Sequence, residues 1–454
     1  MKSNRLNFSF RRLLTAGAVS AMLTLTGGPV SAVPLIWDNS DNDQIWLNAN
    51  NWDGSIIPLT TSDVELPKPI PGASGILTLG AGSVANSLSF FAPYTLTGGD
   101  LALTTGGVRV TIGNTSTIAS QLTGAGGLLK TGDGALILSN ALNNYTGTTE
   151  IASGSVIVTD QGALGGDGSA VVVSGNAQRA VGGGNLTING GSAGLTWTRA
   201  LALTGGGPTG DGNALNSVGS NVFQEAITTG SHIAGQNPVS GVPFTTSVTR
   251  LASTYGTSVI DGPLTLGGGA GILTQFSGNG NWIINSNVTG EGGLEKAGSG
   301  LLILTGANDY SGITQISGGF LRISDVGQLG SNVGATAVNL NGGTLEMRSD
   351  TGAGFSSKRV TLTNTATVFV DHAVDTLGLN QNINFGILGL VANRTMTVNG
   401  RNGTSLTFTG NQVAASLANN NTFTINANGL FTIAGNAWNN TNTTARTLTI
   451  GGAG

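Results

Sequence analysis

Short aliphatic runs with a two-residue alternation fill most of this 454-residue chain. In "TLTGGDLALTT", Leu96, Leu101 and Leu103 alternate with Thr and Ala, so one side of the strand is apolar and the other wet. Similar runs, such as "GILTLG" and "TSLTFTG", recur from Gly72 onward, separated by Gly and Asn. No stretch shows a sustained helical period with capping signals, and each interior glycine would cost a helix about 1 kcal/mol. The pattern predicts an all-β protein.

One stretch of the pattern occurs twice. Residues 124–165 and 290–330 align with a single deletion opposite Leu142 and share 21 of 41 residues. Twelve of those identities are not glycine, so compositional bias does not account for them. Within each unit the strands recur about twenty residues apart, Leu136 to Val156 and Leu302 to Leu321. That spacing is too long for tight hairpins and fits one coil of a right-handed parallel β-helix. Leu136, Leu138, Val156 and Val158, matched by Leu302, Leu304, Leu321 and Ile323, are expected to point inward as ladders about 4.8 Å apart. Ile157 opposite Arg322 marks an outward position. Gly132, Gly134, Gly147 and Gly154, matched by Gly298, Gly300, Gly312 and Gly319, are expected at corners that need a positive φ. "NNYTG" and "NDYSG" read as a shared turn, with Asn143 and Asn308 bonding to backbone. At about 22 residues per coil, 72–454 would form a long solenoid, and the closing "TLTIGGAG" predicts that it is incomplete at the C-terminus.

The ends of the pattern differ from its middle. Residues 1–32 combine Lys2, Arg5, Arg11 and Arg12 with an apolar run, Leu13 to Thr26, and small residues at Val30 and Ala32. This reads as an export signal cleaved after Ala32, its apolar run too short for a comfortable span. Residues 33–71 hold Trp37, Trp46 and Trp52, half of the six tryptophans. A solenoid end must be covered to stay soluble, so this segment is expected to be an N-terminal cap; a carbohydrate-stacking platform is the alternative.

Charge removes several functions. Without 1–32 the chain keeps 14 basic and 22 acidic side chains, a net of −8, with no basic stripe to meet nucleic-acid phosphates. No cysteine is present, so an exported chain of this kind does without disulfides.

The paired units resemble the autotransporter-associated β-strand repeat, also called the passenger-associated transport repeat. The matching positions are Leu128, Lys130, Gly132, Gly134, Leu136, Leu138, Tyr145, Gly147, Gly154, Val156 and Val158. In the second copy they are Leu294, Lys296, Gly298, Gly300, Leu302, Leu304, Tyr310, Gly312, Gly319, Leu321 and Ile323. The opening segment, with Trp37, Trp46, Asn51, Trp52, Pro58 and Asp63, is similar to the start of exported proteins of this type. The resemblance implies a secreted or surface-displayed β-helical passenger of a Gram-negative-type bacterium, often adhesive, whose repeats aid export and folding. Glycans or surface proteins would be its partners, reached after transit through the export machinery.

The alternative is a carbohydrate-active β-helix, a polysaccharide lyase or hydrolase, which needs clustered carboxylates or Asp-bound calcium. The acids are thinly spread, and the copies do not preserve them: Asp133 faces Ser299 and Glu150 faces Gln315. Asp160 and Asp325 do agree, each before a Gly, where capping is the ordinary role. "VDHAVD" supplies the best constellation: Asp371, His372 and Asp375, with Arg394 further on. Strand alternation would put His372 on the face opposite the two acids. "DNSDND", with Asp38, Asp41 and Asp43, lacks the Gly and distal Glu of a helix–loop–helix calcium loop. No cofactor or metal is called for.

Overall fold

The computed structural model describes residues 33–68, 75–166, 169–174, 183–204, 212–230, 248–269, 271–332, 337–355, 357–373, 380–391, 393–410, 421–434 and 448–451. The expected signal segment 1–32 and Asp375 lie outside them. The unit Pro34–Gly454 is a parallel β-helix. Its named strands all pair in parallel, and the described residues contain no α-helix, only three short 3-10 turns.

Three faces wind around one aliphatic core. The first runs from Leu35–Ile36 to Val288–Gly290, the second from Ile76–Leu79 to Leu388–Leu390, and the third from Thr196–Trp197 to Leu448–Gly451. A four-stranded sheet, Ala353–Phe355 to Phe431–Ile433, accompanies the last coils. Like side chains stack on like, as the spacing predicts: Leu136 lies beside Val156 and Leu138 beside Val158, all fully buried. In the second copy Leu302 lies beside Leu321, and Ile303, outward, beside Arg322. The step between rungs is not uniform. It is 20 residues at Leu136–Val156 but 36 where Leu215 meets Leu251, so a constant coil of about 22 residues is replaced by a constant inner cross-section with loops of varying length.

The paired glycines divide into two kinds. Gly132, Gly154, Gly298 and Gly319 do have positive φ. Gly134, Gly147, Gly300 and Gly312 do not, which corrects the expectation of corners for all eight; they are glycine because the neighbouring coil's backbone lies where a Cβ would be. At Gly300 that atom would overlap the Gly280 carbonyl. Gly300→Ala is expected to lower stability by about 1–3 kcal/mol, the range for overpacking, read as a fall in the urea midpoint.

Parallel pairing begins at Leu35–Ile36, which joins Asp63–Leu66, so the described part of the tryptophan-rich segment already belongs to the stack. Trp37, Trp46 and Trp52 are buried and meet edge to face, with centroids 4.9 and 4.8 Å from that of Trp52. No ring face is left for a sugar. Trp52 Nε1 donates to the Trp46 carbonyl at 2.7 Å, and Trp46 N donates to Thr78 O, closing the open edge of Ile76–Leu79. Covering that edge removes a template for unwanted strand addition. The nearby acids are taken up locally. Asp43 accepts from Ile45 N, Asn51 and Asn48, which hold its carboxyl below the usual range, and Asp41 accepts from Asn48 and Asn50.

Candidate functional site

The residues shared by the two copies converge on a buried polar unit, built the same way twice. In the first copy Leu128–Thr131 lies on the first face and Ala135–Leu138 on the second. Lys130 sits in an inward column between Val108 and Ile151, where other coils place aliphatics. Its stem fills that column and its fully buried ammonium reaches the corner. There it donates to the carbonyls of Thr131 (2.9 Å), Gly132 (2.8 Å) and, from the next coil, Ser153 (3.1 Å). Three acceptors match its three donors. Lys296 repeats the arrangement in the Phe276–Ile316 column, donating to Ala297, to Gly298 at 3.1 Å and to Gly318 at 3.4 Å. Burial pulls both ammonium groups down to about 8, and for Lys130 the neighbouring Asp133 charge partly opposes this.

The turn that follows ties three coils together. Asn143 accepts from Leu122 N in the preceding coil at 2.7 Å and donates to Ala163 O in the following one at 2.7 Å. Asn308 does the same with Val288 N and Gln328 O, both at 2.8 Å. The backbone bonds expected of these asparagines therefore reach up and down the stack. Tyr145 and Tyr310 turn inward, their hydroxyls sharing a hydrogen bond with Thr149 (2.7 Å) and Thr314 (2.6 Å). Burial raises both phenols far above their ordinary value. One coil later Asp160 and Asp325 each accept from the N–H two residues on, Gly162 and Gly327, and so cap 3-10 turns at Gln161–Leu164 and Val326–Leu329.

A further pair of cations completes each unit and escapes the sequence pattern. Arg199 donates to the carbonyls of Gly165 (2.7 Å) and Gly166 (2.8 Å), at the end of the first 3-10 turn. Lys358 donates to Gly330 (2.5 Å) and Asn332 (2.8 Å) after the second. Both are buried, and burial lowers the Lys358 ammonium. Because these cations lie in a later coil and differ in type, no sequence spacing marks them.

The units sit where faces begin and end. The first turn stacks on Gln121–Thr123, its 3-10 turn follows, and the third face begins at Thr196–Trp197, where Thr198 N donates to Gln161. The second turn stacks on Val288–Gly290, where the first face ends, and Ala353–Phe355 packs beyond its 3-10 turn. In that copy Gly293–Lys296 lies on the second face and Leu301–Leu304 on the third. The second unit is thus turned by one face relative to the first.

The catalytic candidates are placed differently. Asp371 ends the strand Ala366–Asp371 and His372 follows it, and both are buried, 2% and 1% exposed. Asp371 accepts from His372 N and from Asn402, each at 2.9 Å. His372 Nδ1 lies 3.9 Å from Asp350 Oδ1, and neither ring nitrogen has a hydrogen-bond partner. Arg394 donates through Nε to Thr363 O at 2.9 Å. None of these contacts joins Arg394 to the acids. Among the described residues no three His, Asp or Glu side chains are grouped to hold a metal ion.

The passenger-associated-transport-repeat family model matches residues 128–158 and 294–323, so the chain carries two such repeats. The chain is also similar to the adhesin BmaC autotransporter of Brucella suis biovar 1 (strain 1330), at 29% identity over 254 residues. That match covers 52% of this chain and 7% of that protein, so the chain spans a small part of its relative. No solved structure matches.

Proposed function

We propose that this chain is a surface-exposed, passenger-like β-helix whose outer faces make many weak adhesive contacts, and whose repeats hold the coil stack together during and after export. The two transport repeats and the likeness to an autotransporter adhesin support the first part. The burial of Lys130, Asn143, Tyr145 and Thr149, and of Lys296, Asn308, Tyr310 and Thr314 in the second copy, supports the second: their hydrogen bonds go to the protein's own backbone and hydroxyls.

The observation that carries the adhesive reading is a hydroxyl array on the third face. Thr344, Thr367, Thr397 and Thr424 stand in register on four successive strands. Thr395 and Thr422 form a second column two residues away, about 6.6 Å along the strand. Met396, Val398 and Phe423 point inward between them, which holds the threonines outward. These hydroxyls carry no hydrogen bond to other described residues. Arg401 over Phe369 and the Asn399–Asn426 pair border the array. Such a surface offers paired donors and acceptors to glycan hydroxyls, and affinity would come from repetition rather than from one deep pocket.

The test is binding of the mature chain to immobilised glycans and to cell surfaces. Thr397→Lys with Thr424→Lys, both outward, should cut binding by about tenfold or more through lost repetition while leaving the far-ultraviolet spectrum unchanged. Undiminished binding by that variant would remove the face from the proposal.

A further inference from the structure

The interior of the coil stack is not uniform. On the second face one inward column reads Val158, Ile188, Ser217, Ser253, Gly278 through successive rungs. Thr229, Thr249 and Ser258 also turn inward in the same coils and are fully buried. These groups are paired locally: Ser258 Oγ lies 2.7 Å from Ser217 Oγ and 3.3 Å from Ser253 Oγ, Asn221 donates to Ser217 at 2.8 Å, Thr229 shares a hydrogen bond with Thr274, and Thr249 donates to Gly230 O at 3.3 Å. In the repeat-bearing coils the equivalent columns hold Leu136, Leu138, Leu302, Leu304, Leu321 and Ile323. Satisfied hydroxyl pairs add little net stability, whereas each buried branched aliphatic contributes through the water it leaves.

Two further features fall on the same coils. The rungs step from Val156 to Leu186, then to Leu215 and to Leu251, well beyond the twenty residues seen at the repeats, so each stacked strand must close a longer loop. Among the described residues of this stretch no lysine or tyrosine ties neighbouring coils as Lys130 and Tyr145 do. Trp282, edge-on to Phe276 at 5.6 Å and beside Phe223 at 6.1 Å, restores apolar mass on the C-terminal side.

In a stack where each coil touches only its neighbours, local stability follows local stacking. We infer that the strands Leu215–Gly219, Thr249–Ser253 and Thr257–Ile260 form a weak section that opens as one unit while the repeat-bearing sections on either side stay closed. This rests on the interior packing alone and is independent of the adhesive reading. The device gives the stack a defined place to yield, at a distance from both repeats.

Native-state hydrogen exchange of the full chain in increasing urea tests it. The amides of Leu215–Gly219, Thr249–Ser253 and Thr257–Ile260 should share one opening and exchange at least tenfold faster than those of Ala135–Leu138, Gly154–Val158, Leu301–Leu304 and Phe320–Ile323. Replacing the inward hydroxyls together, Ser217→Val, Ser253→Val and Ser258→Val, should slow exchange in the section toward that of its neighbours. If that variant does not fold, Lys130→Met serves instead: it should speed exchange within 128–158 and leave 301–323 unchanged. Uniform exchange along the chain, fastest exchange in the repeat coils, or a Lys130→Met effect that spreads to 301–323 would each overturn the inference.

Discussion

Trp52→Ala should cost about 3–5 kcal/mol, the range for emptying a buried aromatic site, and should make the chain aggregate. Trp52 is the centre of the cap: Trp37 and Trp46 pack against it at 75° and 80°, and its indole N–H closes on the Trp46 carbonyl. Losing it takes both edge-to-face contacts and frees Trp46, which holds the first strand of the second face through Thr78. An unsealed end exposes apolar rungs and unpaired strand donors together. The measurements are a urea midpoint and light scattering at rising concentration. Trp52→Phe keeps an edge and loses the N–H, so its cost should be the smaller of the two. A Trp52→Ala chain that stays monomeric with an unchanged midpoint would show that the cap does not seal the stack.

Lys130→Met should destabilise by about 3–4 kcal/mol, since three buried carbonyls lose their donor at about 1 kcal/mol or more each. Methionine keeps the volume of the stem, so the loss isolates the polar end. The pH dependence carries its own signature. Lys130 and Lys296 hold protons to about 8 when folded, while an unfolded lysine holds its proton to about 10.4. Between these values the unfolded chain binds more protons, so stability rises with pH through this window and is lost again as pH falls through 8. The tyrosines act in the opposite direction. Burial raises Tyr145 and Tyr310, and Tyr94 to about 12, so above about 10 the unfolded chain sheds phenolic protons that the folded chain keeps. Stability should therefore rise from pH 8, peak near pH 10 and then decline. In Lys130→Met with Lys296→Met the rise should shrink to what Lys358 leaves, and the decline should remain. Urea midpoints from pH 7 to 11 on both chains read this directly.

Much of the fold could be read before the structure because a parallel β-helix repeats its inward and outward chemistry from rung to rung. Alternation told inward Leu136 and Val156 from outward Ile157, and duplication told pattern from accident. What stayed hidden is what that repetition does not carry. Gly134 and Gly132 look alike in sequence, and a neighbouring carbonyl lies where a Cβ would be at both, yet only Gly132 also has a positive φ. Arg199 and Lys358 close the units from a later coil, beyond the aligned copies and with no common spacing. Lys130 and Lys296 matched as motif positions, but only three-dimensional stacking shows their ammonium groups turned inward. Asp371 and His372 are both buried at the end of Ala366–Asp371, which alternation alone does not show.

The offset of one face between the two copies links length to direction. Recombination between their aligned stretches would splice the chain within one copy and delete the coils in between, with the second copy's turn and the later Lys358 retained. Everything downstream would then swing by a third of a revolution relative to the tryptophan seal, threonine columns included. A lineage that shortens this protein by that route also re-aims it.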